Sequence, residues 1–555
     1  MTLDDTVPWW QGAVVYQIYP RSFADHDGDG VGDLQGVIDR IDHVADLGVD
    51  AVWLSPFYRS PMRDFGYDVS DHTDVDPLFG DLDTFDRLLS AVHDRGLRLL
   101  VDYIPNHTSA DHPWFTAARS GRDDPYRDRY VWRPPAPDGG PPNNWLSVFG
   151  GGPAWTYDEP SGEYYLHSFL PSMPDLNWRE PAVREAMFDV ARFWLDRGVD
   201  GFRVDCAHFP MKDPQLRDNP PAADGALAMH RPYGDYDAQR HVHDKGHPDN
   251  HGLYRELREL LESYGPPGSR IAVGEVHVFD WTEWATYYGE QLDELHMPFN
   301  FGLLQTPWRA DAVRDLIARI DSVLPEGAWP SWVVGNHDEP RVASRLGPAQ
   351  ARVAMLLLLT LRGTPTLYAG DELALPDADV PPHLVQDPWG TTGGALGLGR
   401  DPQRSPMLWR DAPGAGFTHD GVTPWLPFAD DPAVRGVEAQ DGRPGSMLTL
   451  TRELLRLRAR QPELRYGEQT LLTGLPDGVV GYLRHLEGSA LLVLLNLTAT
   501  PRHLTLGDLS RCDLSPDGPP GPFELLAATS DRAATDPLGL PLLLGADEAV
   551  VLRVI

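Results

Sequence analysis

Eight short runs rich in Val, Ile, Leu and aromatic residues recur along the chain, each separated from the next by a helical pattern. They read GAVVYQIYP from Gly12, VDAVWLSPF from Val49, LRLLVDYIPNH from Leu97 and GFRVDCAHF from Gly201. IAVGEVHVF from Ile271, ELHMPFNF from Glu294, WVVGNHDEP from Trp332 and TPTLYAGDE from Thr364 complete the set. Continuous apolar runs of this length belong to strands buried on both faces, as in a parallel sheet. The segments between them are amphipathic. Val37, Ile41, Val44 and Ala45 share one helix face, and Phe85, Leu88, Leu89 and Val92 share another. Gly48, Gly96, Gly198 and Gly265 stand where left-handed helix caps are expected. Eight alternations predict an α/β fold, a (β/α)8 TIM barrel.

Two stretches break the rhythm. Roughly 90 residues separate the third strand from the fourth, far beyond an ordinary connection, so residues 107–178 are expected to form an inserted domain and 1–106 with 179–470 the barrel. After the fourth strand, the stretch from MKDPQLRDNPPAADG to DKGHPDN is expected to contribute to a pocket wall. Beyond residue 470, alternating strands such as VVGYLRHL and ALLVLLNLT predict a C-terminal antiparallel β-sandwich over 471–555.

Composition narrows the function. No apolar run reaches the 18 residues that a membrane span needs, and the opening MTLDDTVPWW lacks a signal-peptide pattern. Cys206 and Cys512 alone make no disulfide framework, which favours a cytoplasmic location. A net charge of −35 repels nucleic acid and anionic membranes and suits a small neutral substrate. A monomer or homodimer without an organic cofactor is expected.

In such a barrel, polar residues at the C-terminal strand ends point into the active-site mouth. Those ends supply Asp102, Asn106, His107, Arg203, Asp205, Glu275, His337 and Asp338. Charges in apolar strand sequence are costly unless used or paired. Two carboxyl groups flanking a neutral substrate are what glycosidic-bond cleavage requires, one ionised and one protonated. Arg203 lies two residues before Asp205, so both face one way on a strand and the guanidinium favours an ionised Asp205, the nucleophile. Glu275, among apolar strand residues, is the proton donor. By the same alternation Cys206 points away and packs.

At these residues the chain resembles the retaining α-glucosidases of the α-amylase superfamily, the oligo-1,6-glucosidase and maltase group of glycoside hydrolases. The resemblance rests on DYIPNH, MPDLNW, GFRVDCAHF, GEVHVFD and VVGNHDEP in that order, with AVVYQIYPRSF, DFGYDVSD and DPQRSPMLW matching the same group. It implies a barrel with an inserted domain and a C-terminal β-domain. It also implies Asp205 as nucleophile, Glu275 as acid/base and Asp338 as the carboxylate that distorts the sugar. His107, Arg203 and His337 would line that sugar's subsite. Asp64 and Arg404 would grip its non-reducing end, closing the groove and making the enzyme exo-acting, and Tyr67, Phe149 and Phe169 would be aromatic walls.

Within the group the residue after the nucleophile influences linkage: Val accompanies α-1,6 cleavage, Thr or Ala α-1,4. Cys206 matches neither, and its smaller thiol leans towards α-1,4. Met173 and Phe65 also depart from the usual Gln and Asn. Some transglucosylation is expected. Rivals are a glucosyltransferase or sugar isomerase on the same scaffold, a non-catalytic transporter-associated subunit, and a calcium-binding structural protein.

The last rival draws on DHDGDGVGDLQG, Asp25 to Gly36, which begins like an EF-hand loop but ends on Gly36 where a bidentate Glu belongs. The resemblance places a structural Ca2+ there, with Mg2+ an alternative, held by Asp25, Asp27, Asp29, the Val31 carbonyl and Asp33.

Overall fold

A computed structural model describes residues 7–222, 233–392, 397–505, 522–532 and 540–554. Each of the eight apolar runs forms a barrel strand: β1 (Val15–Ile18), β2 (Ala51–Leu54), β3 (Arg98–Tyr103), β4 (Gly201–Val204), β5 (Ile271–Gly274), β6 (Met297–Pro298), β7 (Ser331–Val333) and β8 (Thr364–Tyr368). All ladders are parallel, in the order β6-β5-β4-β3-β2-β1-β8-β7, so hydrogen bonding runs almost full circle and stops between β6 and β7. Pro298 shortens that edge, because it brings no N–H to a ladder. Val15, Trp53, Leu100, Val273, Met297 and Phe299 fill the interior as one cluster, so the barrel is a packed core rather than a pore.

The helices bury the faces that their spacing predicts. In α1 (Leu34–Leu47) Val37, Ile41 and Val44 are buried and Ala45 half-buried; in α2 (Leu82–His93) Phe85, Leu88, Leu89 and Val92 are buried. Gly48 and Gly198 cap their helices in the left-handed conformation, at φ +92° and +105°. The helices ahead of Gly96 and Gly265 are instead capped two residues earlier, at Asp94 and Ser263.

Between β3 and β4 the chain forms a helix, Pro113–Ser120, and a three-stranded antiparallel sheet of Trp132–Arg133, Trp155–Asp158 and Glu163–Leu166. The interruption after β4 leans on it: Asn143 Nδ2 donates to the Leu216 carbonyl at 3.0 Å and Trp145 Nε1 to that of Arg217 at 2.9 Å. Part of that interruption, 223–232, and Cys512 lie outside the described residues.

The C-terminal sheet begins at Glu468, three residues before the expected start. It is five-stranded and antiparallel, Glu468–Leu471, Val479–Leu486, Ser489–Asn496, Ala549–Val554 and Phe523–Ala528 in spatial order, with Arg502–Leu504 and Leu542–Leu544 forming a separate pair. Buried Arg484 ties it to the barrel by donating to the Thr360 carbonyl at 2.6 Å, where the helix Val342–Thr360 ends. Helix C-terminal carbonyls are unsatisfied acceptors at a negative dipole end, so a cation is stabilising there. No described helix is long and apolar enough to cross a membrane.

Candidate active site

Register assembles the site. Val204 pairs with Gly274 and Asp102 with Arg203, so the residues leaving β4 and β5, Asp205 and Glu275, emerge side by side above Asp102. Acceptor atoms of Asp205 and Glu275 lie within 4.8 Å of each other. Both residues line a cavity of about 940 Å3 at the C-terminal rim, together with Asp64, Tyr67, His107, Phe149, Phe169 and Asp338.

Arg203 serves more than Asp205. Its Nη1 lies 2.6 Å from Asp102 and 2.7 Å from Asp205, and its Nη2 2.7 Å from Glu275. One guanidinium thus faces three buried carboxylates. Burial pushes Asp102 up to about 6 against the pull of Arg203. Burial likewise pushes Asp205 well up; Arg203 opposes this, while Glu275 and Asp102 add to it. For Glu275 burial also pushes upward, but Arg203, the His277 ring 3.1 Å away and the Cys206 N–H at 3.0 Å outweigh it and hold the carboxyl well down. This corrects the expectation that Arg203 belongs to Asp205 while Glu275 sits among apolar residues. Chain spacing reveals the partner on the same strand but not those that register brings from β3 and β5.

Cys206 is corrected too. β4 ends at Val204, and Cys206 adopts φ +44°, so strand alternation no longer governs its side chain. The thiol joins the cavity wall with its sulfur in the cluster of Asp205 and Glu275.

His107 reaches the cavity with both ring nitrogens engaged by protein, Nδ1 by the Asn106 amide at 3.2 Å and Nε2 by the Tyr67 carbonyl at 3.2 Å. Burial pushes it down to about 4, so the ring is neutral. Arg203, His337 and Arg404 do not line the cavity; they stand behind residues that do. His337 is wholly buried between Tyr19 and Tyr67, with ring centroids at 5.6 and 5.5 Å, and its Nε2 meets Tyr67 Oη at 2.7 Å. It holds Tyr67 in place rather than facing the cavity itself.

The expected pair of Asp64 and Arg404 is replaced by a longer network. Asp64 bonds Arg400, which also reaches Asp387 at 2.7 Å and Asp338 at 3.3 Å, while Arg404 bonds Asp338 at 2.8 Å and the His337 carbonyl at 2.9 Å. Burial raises Asp64 to about 6, with Arg400 and Arg404 pulling the other way. Arg400 and Asp387 escaped strand-end reasoning because both lie on the irregular segment after β8; the one signal was a second Arg in GRDPQR. Phe65 takes φ +49°, a strained conformation for an aromatic residue. Its ring packs 5.4 Å from that of Trp425, with the Arg21 guanidinium 5.0 Å away. Met173 is buried in the cavity wall.

The interruption after β4 supplies part of the wall, as expected: Tyr233, Tyr236, Gln239 and Lys245 line the cavity, and the Tyr233 ring packs 4.9 Å from that of Trp389.

At the distal loop, oxygens of Asp25, Asp27 and Asp29 gather within 4.8 Å. Asp33 is not among them. It caps α1, accepting from the Gly36 N–H at 2.7 Å through one oxygen and from the His26 N–H at 2.7 Å through the other. Asp serves equally as helix cap and metal ligand, and here the cap explains its place.

A parallel barrel that brings two carboxylates within 4.8 Å at the C-terminal ends of its strands, above a walled cavity, has the groups that a glycoside hydrolase needs. The sequence profile described as Alpha amylase, catalytic domain matches residues 17–467, and the chain belongs to that family. It is 43% identical to a protein named probable alpha-glucosidase from Rhizobium meliloti (strain 1021), over 88% of this chain and 89% of the relative. It is 36% identical to an oligo-1,6-glucosidase from Parageobacillus thermoglucosidasius, over 88% and 90%. Among solved structures, the alpha-glucosyl transfer enzyme XgtA superposes with TM-score 0.91 at 41% identity, covering 99% of this chain and 100% of that one. The trehalulose synthase MutB from Pseudomonas mesoacidophila MX-45 superposes with TM-score 0.85 at 32% identity, covering 99% and 100%.

Proposed function

We propose that the protein is a retaining, exo-acting α-glucosidase that releases terminal non-reducing α-linked glucose from disaccharides and short oligosaccharides. The separation of Asp205 and Glu275, within 4.8 Å, carries the reading. Retaining enzymes place their carboxyl groups about 5–5.5 Å apart, whereas inverting ones need about 6.5–9.5 Å to admit a water. An oxygen of Asp205 bonds the anomeric carbon as the glycosidic bond breaks, and the Glu275 proton passes to the departing oxygen. Water then gives its proton to Glu275, bonds the same carbon and frees Asp205. In the empty site burial raises Asp205, while Arg203, His277 and the Cys206 N–H hold Glu275 down. A docked glycosidic oxygen offers Glu275 an acceptor and charge building on the sugar favours ionised Asp205, so substrate reverses the preference. Asp338 acts on the sugar, and the Asp64–Arg400–Asp387 network with Arg404 closes the far end to further units.

Cys206 faces the chamber beside the reacting carboxylates, and its single sulfur leaves more room there than a branched side chain, so α-1,4 linkages are favoured over α-1,6. Proton NMR of a p-nitrophenyl α-glucoside digest, which frees one glucose only, tests retention, and initial rates on maltose and isomaltose test linkage. α-Glucose is expected first, with maltose cleaved faster than isomaltose; β-glucose as first product from the aryl glucoside would exclude retention. The likeness to an enzyme named for glucosyl transfer favours a second reading, passage of the glucosyl unit to another hydroxyl, which rising yields of longer saccharides at high substrate would reveal.

The three clustered carboxylates, with the Val31 carbonyl in the same turn, fit a hard divalent cation that would supply stability away from the cavity. Ca2+ at about 100 times its Kd is expected to stabilise the fold by about 2.7 kcal/mol. The melting temperature should rise for the native protein and not for Asp27→Asn; no rise with Ca2+ or Mg2+ would contradict the site.

A further inference from the structure

Beyond Cys206 the wall carries the rings of Phe209, Tyr233, Tyr236 and Phe279, and among its polar side chains are His208 and Lys245. His208 is 1% exposed and lines the cavity, yet neither ring nitrogen has a hydrogen-bond partner in the structure. The Glu275 carbonyl faces the ring without completing a bond. Lys245 lines the same wall with its Nζ 5.3 Å from the Phe209 ring and 5.1 Å from that of Tyr236. Among the described residues no ion pair or hydrogen bond engages its ammonium. The two side chains repel electrostatically, which together with burial keeps the imidazole neutral.

A buried polar group without a partner costs about 1–3 kcal/mol. His208 carries that cost in the wall of the ligand cavity, and half-buried Lys245 brings a cation to the same wall, so the pair is complete only when something binds. A neutral imidazole offers one acceptor and one donor, and the ammonium offers donors only. A hydroxyl group both accepts and donates, so adjacent hydroxyls satisfy this pair, whereas an alkyl or aryl group satisfies neither. The ring of His277, bonded to Glu275, stacks with that of His208 at 6.4 Å, which places the pair on the proton donor's side of the cavity, where the leaving group departs.

We propose that His208 and Lys245 are specificity-determining residues that bind neighbouring hydroxyls of the leaving group or acceptor, selecting a second sugar or comparable polyol over an alkyl or aryl alcohol. The inference rests on the α-glucosidase reading and names the chemistry of the half of the site beyond the transferred glucose. A site built to hydrogen-bond a hydroxyl discriminates strongly against partners that lack it, because its own polar groups are then stranded.

The test compares kcat/KM for maltose and for p-nitrophenyl α-glucoside in the native protein, His208→Leu, His208→Asn and Lys245→Met. The ratio of maltose to aryl glucoside is expected to fall by about 10-fold or more in His208→Leu and Lys245→Met. It should recover in part in His208→Asn, whose amide keeps a donor and an acceptor. Equal loss on both substrates, the mark of a structural role, would overturn the proposal, as would a ratio unchanged within about twofold. The aryl glucoside also reports that the variants are folded. Failure of the native protein to cleave either substrate would instead refute the α-glucosidase reading.

Discussion

Asp205→Asn is expected to lower kcat on maltose by about 10^4-fold or more, the scale seen when a covalent nucleophile is removed from a site whose parts act together. The amide is nearly isosteric, so the cavity and the contact with Arg203 Nη1, now 2.7 Å, need change little. Its oxygen is a poor nucleophile and carries no charge for the developing sugar cation. The variant should bind substrate with a KM within an order of magnitude of native, since the proposed binding contacts, Asp64, Arg400 and the aromatic walls, are unchanged. It should also remove the raised proton site that burial creates at Asp205, simplifying the pH profile to that of Glu275 alone. Steady-state kinetics on maltose checks this; retention of a tenth of native turnover would rule out Asp205 as the attacking group.

Arg203→Met should produce the largest loss of stability, about 3–5 kcal/mol, the cost of removing one partner from a buried ionic cluster. Asp102, Asp205 and Glu275 would share the interior without the guanidinium that now bonds all three. The sign with pH follows from the carboxylates. Without the guanidinium the folded-state values of Asp102 and Asp205 move further above the unfolded values of about 4, and that of Glu275 loses the cation that holds it down. Such groups contribute stability below the unfolded value that is lost as pH rises through the folded one. Starting from Asp102, already near 6 in the native protein, the deficit of the variant should therefore be smaller at pH 5 than at pH 8. Thermal unfolding at both values checks this; a deficit below about 1 kcal/mol, or one independent of pH, would contradict the role of Arg203.

What the sequence discloses and what it conceals divide along physical lines. The strands are legible because burial on both faces leaves uninterrupted apolar runs, and polar residues at their ends then stand out, as at Asp102, Asp205, Glu275 and Asp338. Sharing of Arg203 among three carboxylates is invisible in one dimension, since it depends on Val204 pairing with Gly274 and Asp102 with Arg203. Cys206 misleads because the two-residue strand period stops one residue before Asp205, and the left-handed turn at φ +44° redirects the thiol. Arg400 and Asp387 lie in irregular chain after β8, where no period links sequence to direction. Asp33 shows the opposite limit: the residue type suits a metal, and in the structure one of its oxygens caps α1 through the Gly36 N–H while the other accepts from the His26 N–H of the loop.

Trapping with a 5-fluoro-α-glucosyl fluoride, followed by peptide mass mapping, addresses the covalent step itself. One fluoroglucosyl unit on the peptide at position 205, absent from Asp205→Asn, is the outcome required if that carboxylate attacks the anomeric carbon. Attachment at any other side chain, or turnover of natural substrate with no covalent adduct under any trapping condition, would contradict it.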